Sequence, residues 1–109
     1  MAEQRYGRAV TGQGWAFEAE LWRWPARSDV WVFARLPDDV SADIRDVPRP
    51  RAGFGAVKVA VAVGGSRWST SVFPESAEGA YVLPVKRAVR EAEGLAVGDV
   101  ARIAVQLLT

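Results

Sequence analysis

A chain of 109 residues, half of them hydrophobic and carrying a net charge of +1, has the size of one domain and can bury roughly 65% of its unfolded surface in a single core. It has neither cysteine nor histidine, which excludes disulfides and cysteine nucleophiles and removes the usual ligands of zinc and haem. No metal, cofactor or catalytic residue is assigned, and the near-neutral balance argues against nucleic acid and anionic membranes as partners.

The start, "MAEQRYGRAVTGQG", has no apolar leader segment, and no run approaches the ~20 apolar residues of a membrane span. A soluble, cytoplasmic protein is expected. Residues 1–14 are polar and glycine-punctuated and read as a frayed N-terminus, followed by one domain over 15–109. In "WAFEAELWRW", Trp15, Phe17, Ala19 and Leu21 alternate with Ala16, Glu18 and Glu20, the pattern of a half-buried strand. Trp22 and Trp24 then fall on the polar face, which calls for a bulge or for cover on both sides. After the turn "PARSD" comes "VWVFARL", apolar on both faces and therefore central or covered. In "DDVSADIRDV", Asp38 or Asp39 is expected to cap a short helix with Val40, Ile44 and Val47 on one face.

Beyond the loop "PRPRAGFG", the stretch "AVKVAVAV" aligns Val57, Val59, Val61 and Val63. Gly64–Gly65 turns the chain, and "SRWSTSVF" returns as the second arm of a hairpin. "YVL" is a short strand. From Pro84 the period becomes helical: Val85, Ala88, Val89 and Ala92 form a stripe, Pro84 suits the first turn and Gly94 the C-terminal cap. "VARIAVQLL" closes the chain as a strand with Ala101, Ile103, Val105 and Leu107 alternating. The fold class is mainly β, with six or so strands and two short helices.

"LPDDVSADIR" at 36–45 and "LPVKRAVR" at 83–90 suggest an internal pseudo-repeat: a strand ending in Leu-Pro, a short helix, a glycine turn and a Val-rich strand. Such a duplicated unit would close a small β-barrel. Coincidence of two Leu-Pro strand ends explains the match equally well, and the sequence does not choose.

The chemistry centres on "RWSTSVFPE". Arg67, Ser69 and Ser71 share one strand face, and together with Lys86 and Arg90 of the second helix they make a candidate site for a small anion. A solvated helix face, or a salt bridge from Arg90 to Glu91 or Glu93, is the plainer account of Lys86 and Arg90. A serine nucleophile needs a base, and without histidine only Lys58 or Lys86 is available; no Gly-x-Ser-x-Gly elbow is present. The hydroxyls are therefore read as the wet side of a hairpin strand, and a serine–lysine hydrolase as the weakest alternative. Five tryptophans are heavy for so small a core. Trp22, Trp24 and Trp31 are candidates for an exposed interface, and hence for a homodimer.

"VKVAVAVGGSRWSTSVFPE", "GAYVLPVKRAVREAEGLAVGDVARIAVQL" and the earlier "FARLP" together resemble a bacterial domain-of-unknown-function family, DUF1905, over nearly the whole chain from Trp15. The resemblance implies a small closed barrel of the double-split kind, without an established activity. Longer relatives add a helical C-terminal segment linked to bacteriocin protection; this sequence does not contain it, and that role is not expected of it. The tail "LPVKRAVREAEGLAVGD" is also similar to the swapped-hairpin (AbrB-like) transcription regulators. Likeness of fold does not carry function. The expectation is a non-catalytic module that binds a small anionic ligand or a protein partner, with DNA binding of the swapped-hairpin type as the alternative.

Overall fold

The computed structural model describes residues 13–23, 31–47, 55–75 and 79–108. Within them the two-residue alternation of the sequence becomes six strands and two helices. In chain order these are β1 (Gly14–Arg23), β2 (Val32–Arg35), α1 (Asp38–Asp46), β3 (Val57–Val63), β4 (Ser66–Pro74), β5 (Tyr81–Pro84), α2 (Arg87–Glu93) and β6 (Val100–Leu107). They close into an antiparallel barrel ordered β1-β2-β5-β4-β3-β6.

The interior is filled by every second residue of the long strands. Phe17, Ala19 and Leu21 point in from β1, the four valines of β3 from the opposite wall, and Ala101, Ile103, Val105 and Leu107 from β6. Leu21, Leu83, Ile44 and Ile103 are fully buried, each contributing about 1.5–3 kcal/mol relative to an exposed side chain. The described part of β1 runs to Arg23 in unbroken register with β2, so no bulge resets it. Trp22 instead lies outside, opposite Phe33 at a ring-centroid distance of 5.5 Å, and cover on both faces explains the broken alternation. Trp24 and residues 1–12 lie outside the described residues.

Both helices differ from the expected ones in how they start. The N-cap of α1 is Pro37, with no side-chain cap; Asp39 accepts a hydrogen bond from the adjacent Val40 N–H at 2.8 Å instead. Val40 and Ile44 enter the core as expected, and Val47 packs against it from the C-cap. Ser41, the one buried polar residue described, accepts the Tyr81 N–H at 3.0 Å and so ties α1 to β5. In the second half, Pro84 belongs to the strand and not to the helix. It lies opposite Phe33, and the Val85 N–H donates to the Val32 carbonyl at 2.9 Å, which holds the chain extended until Arg87. The helix that remains is two turns long and buries only Val89, while Ala88 and Ala92 are exposed. Gly94 closes it as the glycine pattern predicts. Its φ is +66°, its N–H reaches the Arg90 and Glu91 carbonyls, and the Leu95 N–H returns to Arg90 at 2.8 Å, a Schellman arrangement.

Exchanging β1 with β4, β2 with β5 and β3 with β6 maps the barrel order onto itself read backwards. The pseudo-repeat is therefore present as an order of elements. Each helix ends nine residues past its Leu-Pro proline, but α2 begins two residues later than α1, leaving Val85 and Lys86 extended. Among the described residues no helix is long and apolar enough to cross a membrane.

Candidate functional site

The barrel is closed but pulled open at two related seams. β1 has ten residues and pairs with β2 only through Leu21, Trp22 and Arg23. β4 has nine and pairs with β5 only through Phe73 and Pro74. Extending the second register places Ser71 opposite Pro84. Proline has no N–H to donate, so the ladder stops there. The chain then leaves through extended Val85 and Lys86 into α2, and a cleft of about 910 Å³ opens between β4 and the β5–α2 junction.

Trp68, Ser69 and Thr70 form one wall of this cleft, and Pro84, Lys86 and Arg90 the other, with Arg87 and Trp31 at its sides. No carboxylate lines it among the described residues. Each cation is held differently. Arg87 is exposed and pairs with Glu91 at 2.9 Å. Arg90 is half-buried; its Nε donates to the Val85 carbonyl at 3.1 Å, which orients the guanidinium and leaves its Nη donors without a partner among the described residues. The salt bridge from Arg90 to Glu91 or Glu93 that the plainer account allowed does not form. Glu91 serves Arg87, and Glu93 accepts the Ser66 hydroxyl at 2.6 Å. That last bond fixes the end of α2 to the β3–β4 hairpin, and with it the position of the second cleft wall. Gly64 suits the position beside it. Its φ is +57°, and a Cβ there would stand 1.9 Å from the Glu93 carboxylate.

Of the residues expected from sequence, the fold thus brings Ser69, Lys86 and Arg90 to one cleft. Arg67 and Ser71 lie on the same outward row of β4. Arg67 borders a shallower concavity of about 290 Å³ on the outer face of β3, β4 and β6, floored by Ala60, Ala62 and Ala104, and Ser69 separates the two hollows. Thr70 and Arg87 were missed: inward parity on a polar strand and one more charge on a helix carried no distinguishing signal. Ser71 is the cross-strand neighbour of Lys58, the pair a hydrolase would use, but Lys58 is exposed on the barrel's outside. A lysine base needs a desolvated amine, and this position supplies none. Of the described candidate interface tryptophans, Trp22 lies on the outer face of β1 and Trp31 at the side of the cleft. Trp31 stacks on Phe33 at 6.0 Å, and Arg35 sits 5.4 Å over the Trp22 ring. Arg35 is also gripped by Glu75, whose hydrogen bond holds its guanidinium above the ordinary value.

The related seam differs in charge. There α1 carries Asp38, Asp39, Asp43 and Asp46 against a single Arg45, and the Trp15 indole donates to Asp43 at 3.1 Å, joining the helix to β1. The β4–β5 seam, by contrast, is lined by Lys86 and Arg90 with no carboxylate among the described residues.

Residues 17–105 match the family described as a domain of unknown function, DUF1905. No curated protein matches the chain.

Proposed function

The chain belongs to the DUF1905 family, and we propose that its barrel is a non-catalytic binding module whose β4–β5 seam holds an anionic ligand. The observation that carries this is the pairing of Lys86 and a pre-oriented Arg90 with the Ser69 and Thr70 side of β4, in a cleft with no lining carboxylate among the described residues. Hydrogen bonds from cations to anionic oxygens are the strong ones, and a guanidinium already fixed by its Nε loses little freedom on binding. Trp31 and Trp68 supply apolar walls beside the charges, the usual make-up of a small-molecule site.

Thermal melting with inorganic phosphate, citrate and a panel of anionic metabolites tests the reading. A ligand present at a hundredfold excess over its Kd adds about 2.7 kcal/mol, a rise of roughly 10 °C for a domain of this size. The rise should vanish in the double variant Lys86→Ala/Arg90→Ala. If no anion raises the melting temperature, or the double variant responds like wild type, the reading fails.

A second reading concerns the outer face of β2, β5 and β4, where Trp31 is 42% and Phe73 40% exposed beside the Trp22–Phe33 pair. Exposed aromatics of this kind favour an interface between two copies. Sedimentation equilibrium decides it, with a monomer mass at all concentrations removing the dimer.

A further inference from the structure

The seam also leaves a strand edge open. The β3–β4 hairpin turns on two residues, Gly64 and Gly65, between the paired Val63 and Ser66. In such a turn the flanking pair is a hydrogen-bonded one, and hydrogen-bonded and non-hydrogen-bonded pairs then alternate along the ladder. Ser66, Trp68, Thr70 and Val72 therefore direct their backbone groups at β3. Arg67, Ser69, Ser71 and Phe73 direct theirs to the other side. The neighbouring bonds obey this parity: Phe73 pairs with Val82, the Glu75 N–H donates to the Ala80 carbonyl at 2.9 Å, and the Leu108 N–H donates to the Lys58 carbonyl from the far side of β3. Among the described residues no strand other than β3 pairs with β4 at Arg67, Ser69 or Ser71. Of these three, Ser69 lines the cleft.

Natural barrels protect such edges with prolines, bulges, short strands or a covering helix. β4 has no proline, bulge or break between Ser66 and Val72, and α2, tied at its end to Ser66, stands off from it across the cleft. The strand is nine residues long, in continuous register with β3, and its proline comes only at position 74. The edge is bordered instead by Lys86 and Arg90 across the cleft and by Arg67 on the strand itself. Open backbone donors and acceptors select an extended main chain, and the surrounding cations select acidic side chains on it.

We propose that the β4 edge receives an extended acidic peptide segment of a partner protein, added as a short seventh strand beside Arg67–Thr70, before the position that Pro84 takes opposite Ser71. Its backbone bonds Arg67 and Ser69, and its carboxylates meet Lys86 and Arg90. The inference rests on the anionic reading of the cleft and narrows it from any anion to a peptide main chain.

Fluorescence anisotropy with a labelled hexapeptide of alternating glutamate and valine tests it on the intact protein. The controls are the same peptide N-methylated at alternate amides, a lysine–valine peptide, and inorganic phosphate as competitor. Binding of the acidic peptide should weaken about tenfold on N-methylation, through lost backbone hydrogen bonds, and the lysine–valine peptide should not bind. Ser69→Pro, which removes an edge donor and leaves the β3 ladder intact, should weaken the acidic peptide by a similar factor. Phosphate binding with an N-methylated peptide as good as the parent overturns the strand addition and leaves the anion site standing. Failure of both phosphate and peptide to bind overturns both. A dimer that dissociates on Ser69→Pro, with no peptide binding, assigns the edge to self-association and also overturns the proposal.

Discussion

Substituting alanine for Gly64 probes the contact that sets the cleft's second wall. Two separate costs arise. A non-glycine residue at a φ of +57° is strained by about 1–2 kcal/mol. The added Cβ also displaces the Glu93 carboxylate, 1.9 Å away, from the Ser66 hydroxyl it binds at 2.6 Å. A charge-assisted bond of this kind, discounted for its partial exposure, is worth about 1 kcal/mol. Gly64→Ala should then cost about 2–3 kcal/mol, lowering a urea midpoint by roughly 1–2 M, read by tryptophan fluorescence. The decisive comparison is the same substitution in a Glu93→Ala background. With no carboxylate to displace, only the strain remains, and a coupling of about 1 kcal/mol should appear in the double-mutant cycle. Equal cost in both backgrounds would refute the reasoning, because the hairpin would then not be pinned to α2 by Glu93.

Substitutions at three further positions test the frame that carries the seam. Ser41→Ala leaves the buried Tyr81 N–H without its acceptor and should lower stability by about 1–3 kcal/mol in equilibrium unfolding. Leu83→Ala empties a fully buried position on β5, and calorimetry should show a loss of about 2–5 kcal/mol. At Gly94 a Cβ meets nothing within 4 Å; Gly94→Ala should cost about 1 kcal/mol from its left-handed φ alone, and Gly94→Asn less by the same unfolding measurement.

The strands were legible because alternation is a local signal that the barrel only amplifies. Phe17, Ala19 and Leu21, the valines of β3 and the residues of β6 face inward as their spacing predicts. Gly64, at the hairpin turn, and Gly94 were legible because positive φ leaves few other choices. What was misread depended on partners distant in sequence. Pro84 looks like a helix start when only its successors are considered, yet the Val32 carbonyl and the register with Phe33 keep it in β5. The consequence is large for the site, since the two residues withheld from α2 are part of what opens the cleft. Asp38 and Asp39 looked like caps, but the turn at Pro37 starts α1 without a side-chain bond. Within the candidate site, Ser69, Lys86 and Arg90 were found from chemistry, whereas Thr70 and Arg87 join them only through the splay of β4 from β5.

Both the anion reading and the peptide reading need the outer edge of β4 to be open, and amide hydrogen exchange in the ligand-free protein measures that residue by residue. Trp68, Thr70 and Val72, bonded to β3, should exchange slowly, while the amides of Arg67 and Ser69 exchange at close to unprotected rates. Uniform protection along Arg67–Val72, or protection of the opposite parity, would mean that the seam is filled or the register wrong, and would contradict the account.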